Sequence, residues 1–181
     1  MDEFDDLGIE ADPIELNSIA EGQIDSARRT ILGLPEVASV IGGFVIKQKF
    51  AETQEEKEAG PICIVNESTN EHTIILEPIH YLWWPNDEAV RLAWCLVMAA
   101  HELRHTYPLN IELYDENPKL AELDCDWFAG MVFARIETSV SVQTILHIFE
   151  EHFGDDETHP DGSIRAWAFD QGYLEQKAIA P

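Results

Sequence analysis

The chain has 181 residues with 45% hydrophobic and 9% aromatic content, and its formal net charge is -24 because 35 acidic residues outnumber 11 basic ones. That length and apolar content suit one globular domain with a single core, over residues 17–181. The few basic residues argue against direct binding to nucleic acid by phosphate neutralisation. No apolar stretch is long enough for a membrane span to be expected.

The N-terminal residues and the cysteines predict a cytoplasmic protein with a flexible arm. Residues 1–6 are acidic where a secretory signal would be basic and then apolar, so we do not expect export by that route. Residues 1–16 are rich in Asp and Glu and lack a sustained period, which predicts a loosely held arm. Cys63, Cys95 and Cys125 form an odd set without close pairing, as is typical of a reducing compartment.

The acidity has four interpretations. The ordinary one is a solvated and mutually repelling surface that keeps the protein soluble. The others are adaptation to high salt, recognition of a basic protein partner, and mimicry of nucleic acid. The composition leaves all four open at this point.

The N-terminal third predicts one helix and a small sheet. A capping-box pair opens a helical run over residues 18–33. Residues 44–50 alternate apolar and polar side chains, which predicts a half-buried strand. Two β-branched runs, residues 62–65 and 73–76, are separated by a polar turn. Together these segments predict a short mixed sheet of about three strands.

A helical period begins after the tryptophan pair at residues 83–84. Asp87 is the predicted cap of this helix. One stripe of side chains recurs at three- and four-residue intervals and contains Val90, Trp94, Val97, His101 and His105.

Further helices are predicted towards the C-terminus. Asn117 and Pro118 supply a cap and a first-turn proline for a helix that reaches about Ile136. Two more helices are expected at residues 141–153 and 163–174. The fold class is therefore predicted to be α+β, with a short mixed sheet, the helix that carries the paired histidines, and further C-terminal helices.

Residues 101–105 form the sequence His-Glu-Leu-Arg-His, and on a helix its two histidines lie one turn apart on the same face. Both imidazoles can reach one ion, and zinc accepts such ligands while a catalytic zinc site keeps one position for water. Glu102 could act on that water as general base, because zinc lowers the pKa of bound water to about 7. The alternative is a chance pattern on a surface helix, but both histidines continue the apolar stripe and so point inward.

The next helix offers a third ligand. Glu122 and Asp126 are four residues apart and share a face, where two carboxylates repel each other unless a cation is near. Zinc would satisfy both if Glu122 were a ligand and Asp126 held a ligand histidine. The alternative is a pair on a solvated helix face. Asp124 is expected to face solvent, and Cys125, which could also ligate, is expected to be a small buried hydrophobe.

These motifs resemble those of the gluzincin metallopeptidases, in particular the CAAX prenyl protease type and the neutral zinc metallopeptidases. The His-Glu-x-x-His helix is followed by Glu-x-x-x-Asp on the next helix, and residues 125–130 are similar to the second group. The resemblance covers about residues 72–175. Members of the prenyl protease type often span membranes, and this chain has no such segment, so membrane substrates are not carried over.

A third motif lies downstream. His159 is followed by a proline and, five residues after it, by Arg165, which is similar to a His-Pro-x-x-x-x-Arg element of these families. The resemblance implies that His159 stabilises the developing oxyanion, or binds the metal in a resting form, and that Arg165 braces Asp126 or Glu122. For His159 the alternative is a pH-sensitive surface residue in a polar loop.

The resemblance also implies a small zincin-like domain in which the strand before the metal helix forms the rim of the substrate cleft. Ile74, Ile75 and Leu76 occupy that place in the sequence. An edge strand there could add a substrate backbone by β-augmentation.

The sequence thus predicts a zinc metallopeptidase that acts on a protein or peptide, with one Zn²⁺ ion held by His101, His105 and Glu122 and with Glu102 as the base. Two alternatives stay open. One is a non-catalytic, metal-containing acidic protein that binds a basic partner, and the other is a nucleic-acid mimic in which the motif is incidental. Glu102 argues against the first, because a structural zinc site needs no base.

Overall fold

The computed structural model describes residues 45–50, 62–66, 71–76, 87–136 and 138–179. The predicted N-terminal arm and the predicted helix at residues 18–33 lie outside these ranges. The domain boundaries proposed from the sequence therefore stay predictions.

Three short strands pair with one another. They are β1 (Val45–Phe50), β2 (Ile62–Asn66) and β3 (Glu71–Leu76). The strand order is β1-β3-β2, with β3 parallel to β1 and antiparallel to β2.

The central position of β3 changes the expectation for its apolar residues. Ile74, for example, is paired with Gln48 of β1 on one side and with Cys63 of β2 on the other. A strand that is paired on both sides is not an edge to which a peptide can add. The expectation of an edge strand at Ile74, Ile75 and Leu76 is therefore wrong, and substrate binding by these residues stays a prediction.

Five helices follow among the described residues. They are α1 (Glu88–Arg104), α2 (Pro108–Glu116), α3 (Pro118–Phe133), α4 (Val142–His152) and α5 (Gly162–Ile179). None of these helices combines the length and the apolar character needed to cross a membrane.

Local sequence signals account for the starts of three helices. The side chains of Asp87, Asn117 and Ser141 cap α1, α3 and α4 by accepting hydrogen bonds from first-turn amides. These starts confirm the predicted ones. Helix α2 is not among the predicted helices. It begins at Pro108, and its N-cap Tyr107 makes no side-chain capping bond.

The hydrophobic core is helical. Trp94 of α1 meets Phe149 of α4 edge to face with ring centroids 5.2 Å apart, and Phe149 lies 5.5 Å from Phe169 of α5. All members of the core cluster lie on helices or in the turn after α1, and residues 87–136 and 138–179 contain no strand. The α+β prediction is therefore wrong. The described structure is mostly helical, and its apolar helix faces are buried against one another.

Helices α3 and α5 approach each other closely through two glycines. A Cβ atom at Gly130 would overlap the carbonyl oxygen of Phe169, and one at Gly172 would overlap that of Trp127. Glycine permits this approach because it has no Cβ atom. As a result, Arg165 of α5 reaches the side chains of α3.

Candidate metal centre

Two imidazoles meet at the C-terminal end of α1. His101 lies in the last turn of the helix, and His105 is its C-cap residue, one turn further along. Their Nε2 atoms are 3.3 Å apart, whereas their Nδ1 atoms contact separate partners. Two ring nitrogens of the predicted pair therefore converge on one point.

Glu122 of α3 places one carboxylate oxygen beside each of the two histidines. Its Oε2 lies 3.1 Å from Nε2 of His101, and its Oε1 lies 3.3 Å from Nε2 of His105. A tetrahedral ion with nitrogen and oxygen ligands at about 2.0–2.2 Å separates neighbouring ligand atoms by roughly 3.3–3.6 Å. The observed spacings agree with that range to within about 0.2 Å. These three residues, His101, His105 and Glu122, which we call the ligand triangle, therefore could hold a metal ion.

Asp126 and Arg165 orient His101. Nδ1 of His101 is 2.9 Å from Oδ1 of Asp126, and Arg165 donates to the same carboxylate from Nε at 2.8 Å and from Nη2 at 3.0 Å. Asp126 is 0% exposed and Arg165 is 2% exposed. Burial raises the pKa of Asp126, but Arg165 and His101 outweigh burial and lower it. We call these contacts, Arg165–Asp126–His101, the buried chain.

A second chain of contacts orients His105. Nδ1 of His105 is 3.0 Å from Oδ1 of Asn110 in α2, and Nδ2 of Asn110 donates to Oδ2 of Asp124 at 2.9 Å. Arg104 donates to Asp124 from Nε at 2.7 Å and from Nη2 at 3.0 Å. The side chains of Arg104 and Asp124 are 18% and 23% exposed. We call Arg104–Asp124–Asn110–His105 the half-buried chain. The expectation that Asp124 faces solvent is wrong, since two side chains hold it against the protein.

The partners of the Nδ1 atoms decide what the Nε2 atoms can do. A carboxylate only accepts hydrogen bonds, so His101 donates from Nδ1 to Asp126. Asn110 points its amide nitrogen at two acceptors and its oxygen at His105, so His105 donates from Nδ1 as well. Each neutral ring then presents a lone pair at Nε2. Two such lone pairs beside the Glu122 carboxylate repel one another unless a cation lies among them.

The pKa shifts show an excess of buried negative charge. Burial by itself lowers the pKa of His101, but the carboxylates of Asp126 and Glu122 outweigh burial and raise it to about 10. Burial raises the pKa of Glu102. Burial also acts to raise the pKa of Glu122, but the neighbouring imidazoles of His101 and His105 outweigh it and lower that pKa. The carboxylates around His101 thus favour positive charge in the pocket, which a divalent cation would supply.

Glu102 is buried beside the ligand triangle. It is 3% exposed, and its Oε2 makes no hydrogen bond with any described residue. The charges of His101, His105 and Glu122 all act on the pKa of Glu102, so the Glu102 carboxyl group lies near these three side chains. A buried oxygen without a hydrogen-bond partner costs folding free energy, so a bound ligand that donates a hydrogen bond would stabilise this oxygen.

Cys125 provides an alternative ligand. His101, His105 and Cys125 form a group that could hold a metal ion, with ligand atoms all within 4.8 Å of one another. Its Sγ lies 3.3 Å from Nδ1 of His105, however, whereas Glu122 meets that ring at Nε2. Burial raises the pKa of the Cys125 thiol well above its usual range, and the neighbouring carboxylates add to the shift. The sulfur is therefore a protonated, fully buried thiol in this arrangement.

His159 lies in the loop between α4 and α5 and faces the ligand triangle. Its Nε2 is 3.7 Å from Oε2 of Glu122, and its side chain is 42% exposed. Its Nδ1 lies 3.1 Å from Oδ2 of Asp156 and 2.9 Å from Oγ1 of Thr158. The backbone amides of His159 and Thr158 donate to Asp156 and lower the pKa of that carboxyl to about 2. Asp156 thus orients a ring whose other nitrogen points at the site.

Tyr114 of α2 lies on the His105 side of the site. Its ring centroid is 6.0 Å from that of His105, and the residue is 40% exposed. Burial raises the pKa of the phenol, and the negative charges of Glu122 and Asp156 raise it further. The carboxylates of Glu122 and Asp156 therefore act electrostatically on the His105 side of the site as well.

Comparison of the chain with protein-family models, with curated proteins and with solved structures found no match. The geometry of the site is therefore what supports an assignment of function. The resemblance to the gluzincins stays a prediction.

The structure brings together most of the residues that the sequence singled out. Those in the pocket are His101, Glu102, His105, Glu122, Asp126 and Arg165, with His159 at its exposed side. Three contributors were missed, namely Arg104, Asn110 and Asp124. Pro108 is a helix-start signal that could have placed Asn110 in a first turn. Which groups its amide contacts depends on how α2 packs on α3, and no local pattern encodes that packing.

Proposed function

We propose that the protein is a zinc-dependent peptide hydrolase of the gluzincin type, in which His101, His105 and Glu122 hold one zinc ion. The observation that carries the proposal is the ligand triangle, whose three spacings are 3.1, 3.3 and 3.3 Å. Three nitrogen and oxygen ligands suit catalytic zinc, which keeps a further position for water or substrate. Both histidines are also oriented through their second ring nitrogen, as zinc-binding histidines usually are.

Glu122 is the better third ligand than Cys125. Its two oxygens lie on the side of the rings where both Nε2 atoms converge, whereas the sulfur of Cys125 lies against Nδ1 of His105. We expect Glu122→Ala to abolish stoichiometric zinc binding and Cys125→Ala to retain it, with zinc measured on the purified chains. The opposite result would assign the metal to His101, His105 and Cys125.

The chain's own groups would supply the proton transfers. Bound zinc would provide Lewis-acid polarisation and a nucleophilic water at neutral pH. Glu102 takes a proton from the attacking water and delivers it to the amine nitrogen as the C–N bond breaks, so the water oxygen ends on the carbonyl carbon. Burial favours this exchange, because it raises the pKa of Glu102 towards the range of an effective acid–base group.

His159 would stabilise the charge that develops on the substrate oxygen. In its protonated form it donates from Nδ1 to Asp156 and has a second donor at Nε2, which faces the site. We expect His159→Ala to retain zinc and to lower kcat about 10²- to 10³-fold, the usual effect of removing one such donor. Equal rates in the two proteins would remove His159 from the mechanism.

The proposed substrate is a peptide with basic residues, and the proposed location is the cytoplasm. The acidic excess of the whole chain and the charges around the site would attract basic peptides. Digestion of a peptide library, read by mass spectrometry, would show cleavage enriched near Lys and Arg. No enrichment would leave the hydrolase proposal intact and exclude this preference.

The decisive experiment combines metal analysis with the Glu102→Gln variant. We expect one zinc ion per chain in both proteins and hydrolysis only in the parent. Glu88→Gln, an exposed position in the first turn of the same helix, is the matched control and should behave as the parent. Activity retained in Glu102→Gln would overturn the mechanism. Stoichiometric iron in place of zinc would overturn the proposed reaction, since two histidines and one carboxylate also bind iron in oxygenases.

A further inference from the structure

Two rival groups contact Nδ1 of His105. Oδ1 of Asn110 lies 3.0 Å away, and Sγ of Cys125 lies 3.3 Å away. They favour opposite tautomers of the ring. The amide oxygen can only accept, so it requires a proton on Nδ1 and leaves a lone pair on Nε2. A thiol that donates to Nδ1 would place the ring proton on Nε2 instead, and a ring in that form cannot bind a metal through Nε2.

The orientation of the Asn110 amide is fixed by its nitrogen. Nδ2 donates to the carbonyl oxygen of Ala121 at 3.0 Å and to Oδ2 of Asp124 at 2.9 Å. Both are groups that only accept, so a flipped amide would place its oxygen against two other oxygens. Arg104 in turn holds Asp124 by two hydrogen bonds. The amide oxygen of Asn110 is therefore left facing His105.

We propose that the half-buried chain selects the metal-binding tautomer of His105 against the competing thiol of Cys125. Asn110 is then a positioning residue that acts through His105, and Asp124 and Arg104 act through Asn110. The inference rests on the metal site of the proposed function and is independent of whether the protein hydrolyses peptides. It gives a reason for a buried asparagine in α2, a helix that contributes no ligand to the triangle.

Zinc affinity is the first test. Competition with a chromogenic chelator measures the zinc Kd of the full chain and of Asn110→Leu, and we expect the variant to bind about 10- to 100-fold more weakly, as is usual when a partner of a ligand histidine is lost. Thr106→Val is the matched control. It removes a buried hydrogen bond from Thr106 to the carbonyl oxygen of Leu103. Thr106 lies in the turn between α1 and α2 but is not part of the half-buried chain.

A second measurement separates tautomer selection from simple structural support. The ring carbon NMR shifts of His105 in the metal-free chain distinguish the two neutral tautomers. We expect the Nδ1–H form in the parent and a shift towards the Nε2–H form in Asn110→Leu. Adding Cys125→Ala to Asn110→Leu should recover part of the zinc affinity, because the rival donor is gone. If Asn110 had only a structural role, Asn110→Leu would lower thermal stability without changing the NMR shifts of His105. Adding Cys125→Ala would then recover no zinc affinity.

Asp124→Asn keeps the side-chain volume and serves if Asn110→Leu fails to fold. We expect a smaller loss of zinc affinity in the same direction, because Asn110 then loses its charged acceptor. The inference is overturned if the folded variants bind zinc as the parent and Thr106→Val do. A parent that binds no zinc would instead refute the proposed function, so the two failures are distinguishable.

Discussion

The two histidines of the site are oriented by chains of hydrogen bonds that follow the same plan but differ in burial. His101 is held directly by the Asp126 carboxylate, which a fully buried Arg165 neutralises. His105 is held by the neutral amide of Asn110, and its charged pair, Arg104 and Asp124, is one step removed and partly exposed. A buried charge without a partner is far more costly than an exposed one, so the two chains should respond differently to the same substitution.

The largest effect is expected from Asp126→Leu. The substitution leaves the Arg165 guanidinium buried without its carboxylate, which costs about 3–5 kcal/mol in unfolding free energy. It also removes the acceptor of His101, so zinc binding should be lost. Urea unfolding followed by circular dichroism measures the first effect.

The double variant Asp126→Leu/Arg165→Met tests the reason for that loss. Without a guanidinium there is no unpaired buried charge, so much of the unfolding free energy should return while zinc binding stays lost. If the double variant were no more stable than the single one, the unpaired charge would not be the cause.

The next largest loss of stability is expected from Gly172→Ala. This residue does not belong to the buried chain, but it lies on the same helix as Arg165. The added methyl group would push α5 away from the carbonyl oxygen of Trp127, and overpacking of this kind costs about 1–3 kcal/mol. Because α5 carries Arg165, zinc affinity should fall as well. Gly154→Ala is the control, since no atom lies near the position of its added methyl group. Equal melting temperatures for the two variants would contradict the close approach of α3 and α5.

A smaller effect is expected from Asp124→Leu, the counterpart of Asp126→Leu in the half-buried chain. Arg104 keeps access to water and stacks on the ring of Tyr107, 4.7 Å from its centroid, so the loss should be roughly 1–2 kcal/mol. The same urea titration measures it. A loss as large as that of Asp126→Leu would show that burial does not distinguish the two chains.

The smallest effect is expected from Lys119→Met. Lys119 and Asp155 form an ion pair at 2.6 Å, but their side chains are 37% and 63% exposed. Water and salt screen such a pair, so the unfolding midpoint should stay within the error of the measurement. A clear shift would indicate that this pair ties the His159 loop to α3 more strongly than its exposure implies.

Three helix starts were predicted correctly, whereas helix α2 and the fold class were not. The capping residues Asp87, Asn117 and Ser141 act within one turn of their own position, so the sequence shows them directly. The fold class depended on what the apolar helix faces would pack against. Trp94, for example, packs on Phe149 of α4 and on Phe153, which follows that helix. Strand order likewise needed the structure, because β3 reads the same in sequence whether it is central or at an edge.

By itself, the sequence determined the spacing within each helix. His101 and His105, and also Glu122 and Asp126, share a face because helical geometry repeats every 3.6 residues. Only the tertiary structure decided how those faces meet. It placed Glu122 rather than Cys125 beside both Nε2 atoms, assigned Arg165 to Asp126, and joined Arg104, Asp124 and Asn110 to His105. These contacts join residues of different helices, so they depend on side-chain packing that no short-range period can specify.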